Sequence, residues 1–288
     1  MIKKIAINFR PDDEGAIPII KNICRIADQH QMKVMLPDYI ILQKNNMEAC
    51  IANQDEYKDN PDLVISIGGD GTFLRSARMF LHSNSLIFGI NRGRLGFMTE
   101  FNPEEYEIHL NKIFEGKYKV SEKSIMKAVL NSNGHDTPSY FINDAVISKG
   151  AFSKAIVTEL FVDDIFFNRF SGDGLIISTA TGSTAYSLSA GGPIISPDAK
   201  GICIINPVCP HSLATRPVVI PTSSVIKARI LSDVENLLLT IDGQEAIKFS
   251  CGDEIIFKRS DKKINLIVHP EKDFYLILRE KLNWGKDY

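Results

Sequence analysis

The sequence predicts two linked domains. The first is an N-terminal α/β domain, Rossmann-like, around a parallel sheet. The second is a mostly-β C-terminal domain of packed antiparallel sheets. Three observations predict this. Strand-like and helix-like segments alternate through the first 119 residues or so. After Lys119, short β-rich runs separated by turn residues take over, and long helical patterns nearly vanish. Between them, the apolar run "DLVISI" leads through "GGDGT" straight into a helical pattern, a strand–turn–helix unit.

The elements follow in order. "KIAINF" reads as a first strand, and "AIPIIKNICRIADQHQM" carries apolar residues at helical spacing. "KVMLPD" holds a short strand, and the polar stretch from Gln43 to Asn60 predicts a mobile loop. "DLVISI" suits a buried parallel strand, "TFLRSARMFL" a helix and "SLIFGIN" another strand. "NPEEYEIHLNKIFEG" opens on Asn-Pro-Glu-Glu, a helix start signal. From "MKAVLNS" to "KINLIVH" the chain reads as successive strands, and "DFYLILREKLNWG" as a helix that returns to the first domain. The expected divisions are residues 1–119, 120–268 and a C-terminal segment 269–288.

Composition excludes several classes. With 288 residues, 44% apolar and 24% charged, the chain can bury a substantial core. A formal net charge of -2 lacks the basic excess of a general nucleic-acid binder, so no nucleic-acid partner is expected. No run reaches the roughly 18 apolar residues of a membrane span, and "MIKKIAINFRPDD" is too short and too polar for a secretory signal. No membrane association and a cytoplasmic location are the expectations. The five cysteines show no Cys-x-x-Cys pair, so they are read as buried free thiols.

The glycine turn raises a chemical question. Gly68-Gly69-Asp70-Gly71-Thr72 ends a buried strand and opens a helix, where main-chain amides hold anions. It matches neither the dinucleotide nor the nucleoside-triphosphate fingerprint. A carboxylate beside phosphates repels them, so Asp70 needs a reason: either it takes a proton from an attacking hydroxyl or helps hold a divalent ion, or it is an Asx-turn acid capping its own loop.

Three further stretches carry compatible chemistry. "SGDGLIISTATGSTAYSLSAGGP" offers many hydroxyl donors with little bulk, as a sugar or phosphate requires, and Tyr186 in it suits a base or a half-buried packing role. Asn143 and Asp144 in "YFINDAVISKG" suit a diol or an amide, or form an ordinary polar turn. Arg92 and Arg94 in "NRGRLGFM" are forks for phosphates or solvent-facing turn residues. His211 has no nucleophile or carboxylate near it in sequence and is read as a packing residue.

These motifs resemble the bacterial NAD kinase family. "GGDGT", "GRLGF", "NDAV", "SGDGLIISTATGSTAYSLSAGGPI" and "PHSLATRPVVI" occur in the family's order and span nearly the whole chain. The resemblance implies transfer of the γ-phosphoryl group of ATP, or in some members of polyphosphate, to the 2'-hydroxyl of the adenosine ribose of NAD, giving NADP. It also implies a site between an α/β and a β domain, a divalent cation such as Mg2+, and a homodimer or homotetramer. Asp70 falls on the catalytic aspartate, with Gly71 beside it in the NAD contact. Asn143 falls on the asparagine that holds the dinucleotide, and Asp144 stands where the family usually has glutamate, one methylene shorter. Asp173 matches an aspartate that reads part of the dinucleotide. Thr184, Ala185, Tyr186 and Ser189 match the segment that wraps the adenosine, and Gln244 a late polar contact. Arg75, Lys154 and Val208 fall near positions that touch ligand in relatives.

Three rivals stand beside this reading. A dehydrogenase requires a glycine fingerprint after the first strand, where "INFRPDD" stands instead. A lipid or sugar kinase can share the Gly-Gly-Asp-Gly turn. A nucleotide sensor would keep the loops without needing the acid.

Overall fold

The structure is a computed structural model that describes residues 2–93, 95–132, 134–150 and 154–285. The chain divides into two compact units, Met1–Glu122 with Ile264–Tyr288, and Lys123–Lys263.

The first unit is a parallel sheet covered by helices. Its elements are β1 (Lys4–Phe9), α1 (Ile17–Gln29), β2 (Lys33–Met35), α2 (Ile40–Gln43), α3 (Gln54–Lys58), β3 (Leu63–Ile67), α4 (Asp70–Met79), β4 (Leu86–Ile90) and α5 (Tyr106–Phe114). The strand order is β2-β1-β3-β4, every pair parallel, and Asn265 and Leu266 extend it by pairing parallel with Leu86 and Ile87. Every residue of β3 is buried, which is why its sequence is mostly apolar on both faces rather than alternating, with Ser66 the one polar residue. Helix α1 has proline in its first turn, where no amide is needed, and buries Ile19, Ile20, Ile23 and Ile26 along one face. These join Ile5, Ile7, Ile65 and Phe88 in one core.

A buried polar link ties α4 to the sheet. Asn8 Nδ2 donates to Ser76 Oγ at 2.7 Å, and Ser76 Oγ lies 3.0 Å from Ser66 Oγ, so β1, β3 and α4 are locked in register by one hydroxyl. Before α5, Asn102 and Glu105 exchange side-chain-to-amide bonds of 3.1 and 3.0 Å, a reciprocal cap.

The segment 43–60 is not the mobile loop its polarity predicts. It holds a 3-10 turn (Glu48–Cys50) and α3. Tyr57 is buried there, and its hydroxyl donates to the Ile7 carbonyl at 2.8 Å, while Leu36 and Ile51 form a parallel bridge. A few anchors outweigh a hydrophilic average. The cysteines also differ from expectation: all five are free, but only Cys203 is buried, and Cys209 and Cys251 are exposed.

The second unit contains β6 (His135–Phe141), β7 (Asp144–Ser148), β8 (Ile156–Val162), β9 (Ile165–Gly172), β10 (Gly174–Thr179), the single-turn α6 (Tyr186–Ser189), β11 (Ile202–Val208), β12 (Val218–Pro221), β13 (Ile226–Ile230), β14 (Leu237–Ile241) and β15 (Glu245–Phe249). Strands β5 (Lys119–Ser132) and β16 (Glu254–Val268) run across the boundary between the units. One sheet has the order β12-β11-β10-β7-β14-β15, antiparallel throughout. Antiparallel pairs β9-β8-β13-β16 and β5-β6 make up the rest, and Phe141, Ile147, Leu160, Ile177 and Phe257 lie in the core they enclose. The predicted fold class is thus the observed one: helix-covered parallel strands, then antiparallel sheets.

The last helix, α7 (Phe274–Leu282), belongs to the first unit. Asp273 caps it by accepting from the Leu276 amide at 2.8 Å, and Asn283 ends it in the left-handed conformation. Asp273→Ala should cost about 1 kcal/mol of local stability. Amide hydrogen exchange should report this as faster exchange confined to α7, and unchanged exchange there would show the cap to be idle.

Candidate functional site

Each unit carries part of the predicted site. In the first, β3 ends at Ile67, and Gly68 turns the chain with φ +148°, a conformation that side chains rarely adopt. Asp70 is the first residue of α4. Its carboxylate does not cap its own loop. Oδ2 accepts from the Phe97 amide at 2.9 Å, and Oδ1 from the Met98 amide at 3.1 Å and the Thr99 hydroxyl at 3.3 Å. Gly96 makes this approach possible: a Cβ there would stand 2.1 Å from Asp70 Oδ1. The "GRLGF" stretch therefore serves through its backbone. Lys281 Nζ, from α7, lies 3.5 Å from Asp70 Oδ2.

Two arginines of this unit, Arg92 and Arg75, are committed to the protein. Arg92 is paired with Asp13 and packs against Gly15, where a Cβ would collide with it, so it is a structural ion pair rather than a free phosphate fork. Arg94 lies outside the described residues. Arg75 donates through Nη2 to the Phe9 carbonyl, while its buried Nε has no partner. Gly71 follows Asp70 in the first turn of α4.

In the second unit, Asn143, Asp144, Ala185 and Tyr186 line one cavity of about 400 Å3, with Val146, Ser148, Thr240, Asp242 and Gly243. The hydroxyl-rich loop is stitched to the Asn143 turn. Thr179 donates its amide to the Asn143 carbonyl at 2.9 Å and its hydroxyl to the Ile142 carbonyl at 2.5 Å, and Ser178 Oγ reaches the Asn143 carbonyl at 3.2 Å. Gly182 passes so close that a Cβ would sit 2.0 Å from that carbonyl. The Asn143 side-chain oxygen is buried and has no partner, and the residue lines the cavity.

Asp242 organises this turn, and sequence reasoning missed it. It follows β14, and its carboxylate accepts from the amides of Ile142, Asn143 and Asp144 at 2.8 to 3.2 Å. Asp242 and Gly243 both have positive φ, as the tight turn between β14 and β15 needs. The Asp-Gly pair in "IDGQE" was the available signal. Burial, with the Asp242 charge beside it, pushes the Asp144 carboxyl up to about 7, against a smaller opposing pull from the Tyr186 amide.

The other predicted residues of this unit do not line this cavity. Thr184 is half-buried and donates to the Thr181 carbonyl at 3.4 Å; Ser189 is exposed at the end of α6. Asp173, between β9 and β10, pairs with Lys149 at 2.8 Å, and that bond holds its carboxyl below the usual range. Val208 packs with Val146 and Ile176. Gln244 is exposed in the β14–β15 turn, and Lys154 is exposed ahead of β8. His211, read as packing, is exposed; its amide donates to the Ser171 carbonyl at 2.8 Å.

Among the described residues, one group has the makings of a metal site: Glu105, His109 and His269 in the first unit. It does not suit Mg2+, which takes oxygen ligands in octahedral array. His269 Nδ1 accepts from the amides of Glu271 and Lys272, both at 3.1 Å, which leaves the ring proton on Nε2. Glu105 already pairs with Lys272 at 2.5 Å.

Comparison with known proteins agrees with the division into two halves. The family model described as ATP-NAD kinase N-terminal domain matches residues 5–118, and that described as ATP-NAD kinase C-terminal domain matches 142–269. The NAD kinase of Geotalea daltonii is 36% identical over 99% of this chain and 100% of its own length. The chain belongs to the NAD kinase family. The NAD kinase of Carboxydothermus hydrogenoformans is 40% identical over 83% of this chain and 85% of its own. Yeast NADH kinase complexed with NADH has the same fold, with TM-score 0.91 at 24% identity over 100% of this chain and 89% of that one. An Archaeoglobus fulgidus NAD kinase in complex with ATP gives TM-score 0.76 at 24% identity, covering 97% of each chain. As a family member the protein is a phosphotransferase that converts NAD to NADP with ATP, which excludes the dehydrogenase, lipid-kinase and sensor readings.

The raised Asp144 carboxyl makes a test of the cavity. In the unfolded chain this acid ionises near 4, in the folded one near 7. Folding therefore favours its protonated form, and stability is lost as pH rises from 4 to 7, then stays level. Asp144→Asn removes that loss. Its melting temperature relative to the parent should climb from pH 4 to pH 7 and plateau above; a constant difference would show that Asp144 is not a buried acid.

Proposed function

We propose that Asp70 is the general base of NADP formation, and that the Asn143–Asp144 cavity holds the adenosine side of NAD. The observation that carries the first part is the grip on the Asp70 carboxylate by the Phe97 and Met98 amides. Two main-chain donors fix its plane and leave it no rotamer freedom, which is what a proton acceptor requires. The second part is supported by Asn143 and Asp144 lining one cavity, where burial raises the Asp144 carboxyl to about 7, so that an amide and a carboxyl group stand ready for the hydroxyls of a ribose. Tyr186, half-exposed at the cavity, offers a flat face to the base.

The 2'-hydroxyl of the adenosine ribose forms a bond to the γ-phosphorus as the bond from that phosphorus to the bridging oxygen breaks, and ADP leaves. The hydroxyl proton passes to an Asp70 carboxylate oxygen, late, when the attacking oxygen has become acidic. Amides at the α4 N-terminus favour phosphate charge nearby. A divalent cation carried with the triphosphate would supply charge neutralisation to the donor phosphates. The remaining residues orient two substrates. Polyphosphate as an alternative donor and assembly as a homodimer or homotetramer belong to the same family-based reading.

A coupled assay with purified protein, NAD, ATP and magnesium, read by an NADP-specific dehydrogenase, tests this. Asp70→Asn should bind NAD with little change and turn over at least ~100-fold more slowly. Undiminished turnover would remove Asp70 from the chemistry.

A further inference from the structure

The Asp70 carboxylate has a full set of partners before any substrate arrives. An ionised carboxylate offers about four lone-pair positions. Here Oδ2 faces the Phe97 amide at 2.9 Å and the Lys281 ammonium at 3.5 Å, while Oδ1 faces the Met98 amide at 3.1 Å and the Thr99 hydroxyl at 3.3 Å. A hydroxyl that is to give its proton to this group must displace one of them. Three come from a single stretch, Phe97 to Thr99, through main chain or a short side chain, and Gly96 packs that stretch directly on the carboxylate. None of the three can leave without unravelling it.

Lys281 differs in every respect. Its contact is the longest, its charge sits on a flexible four-carbon stem, and its side chain is 29% exposed. It also has a second contact to fall back on, because Nζ lies 4.6 Å above the centre of the Phe97 ring. Phe97 in turn meets Phe274 of α7, with ring centres 6.2 Å apart, so the helix that brings the lysine is packed on the same stretch.

We propose that Lys281 is a positioning residue that holds the place of the attacking hydroxyl on Asp70 Oδ2 and, once displaced by it, keeps its charge beside the donor phosphates. This rests on the reading of Asp70 as base. It explains how an acid is tolerated next to a triphosphate. The ammonium balances the carboxylate while the site is open, and its flexible four-carbon stem lets the charge shift toward incoming phosphoryl oxygens when the site fills. The proton count of the reaction is unchanged, since Lys281 keeps its proton and Asp70 receives that of the hydroxyl.

The test uses the full chain with Lys281→Met, Lys281→Arg, Asp70→Asn and the Asp70→Asn/Lys281→Met double variant. Lys281→Met should leave the Kd for NAD, by calorimetry, unchanged or tighter, because a competitor has been removed. It should also raise the KM for ATP and lower kcat, each about tenfold. Lys281→Arg should restore most of both. In the Asp70→Asn background, Lys281→Met should leave the Kd for NAD unchanged, because that effect runs through the carboxylate, while the rise in KM for ATP persists, because there the lysine acts on the donor phosphates. Four results overturn the proposal: wild-type kinetics in Lys281→Met, equal weakening of both substrates, loss of folding in the thermal melt, or an unchanged KM for ATP when Lys281→Met is added to Asp70→Asn. Undiminished turnover in Asp70→Asn would instead remove the base itself, whereas a slow Asp70→Asn beside a normal Lys281→Met refutes only the role of the lysine.

Discussion

The first unit depends on one contact, the carboxylate of Asp70 against the amides of Phe97 and Met98. It joins the start of α4 to the segment that follows β4. Three local facts serve it. Gly68 adopts a backbone that side chains avoid, Gly96 lacks the Cβ that would block the approach, and Ser76 binds both Ser66 and Asn8 so that α4 cannot slide on the sheet. A proton acceptor on a free side chain would sample several rotamers; here main-chain geometry removes that freedom.

The second unit uses the same device for a different end. Asp242 also gathers main-chain amides, from Ile142, Asn143 and Asp144, but it is buried and faces a second acid. Burial, with the Asp242 charge second, raises the Asp144 carboxyl to about 7. Asn143 and Asp144 line the same cavity. With glutamate in place of Asp144 the carboxyl would reach one methylene further.

Much of the fold was legible because its signals are local. A mostly apolar run marked β3, helical spacing marked α1, and short runs between turns marked the antiparallel strands. The segment 43–60 was misread because its order comes from single long-range anchors such as the bond of Tyr57 to Ile7, which a polar average hides. Four of the site residues taken from motif likeness do share one cavity, but Gln244, Lys154 and Asp173 stand apart from its lining. Arg92 shows the limit of residue type as evidence: a guanidinium in a glycine turn suits a phosphate equally well, yet Asp13 already holds it.

Sequence alone determined the order of the elements, the strand–glycine–helix unit around Asp70 and the family, since each is written in adjacent residues. Only the tertiary structure decided what surrounds the two acids. Asp242 reaches Asn143 because β14 pairs with β7, and Lys281 reaches Asp70 because α7 belongs to the first unit. Partners so distant along the chain leave no spacing to read; strand register and helix packing bring them within bonding distance.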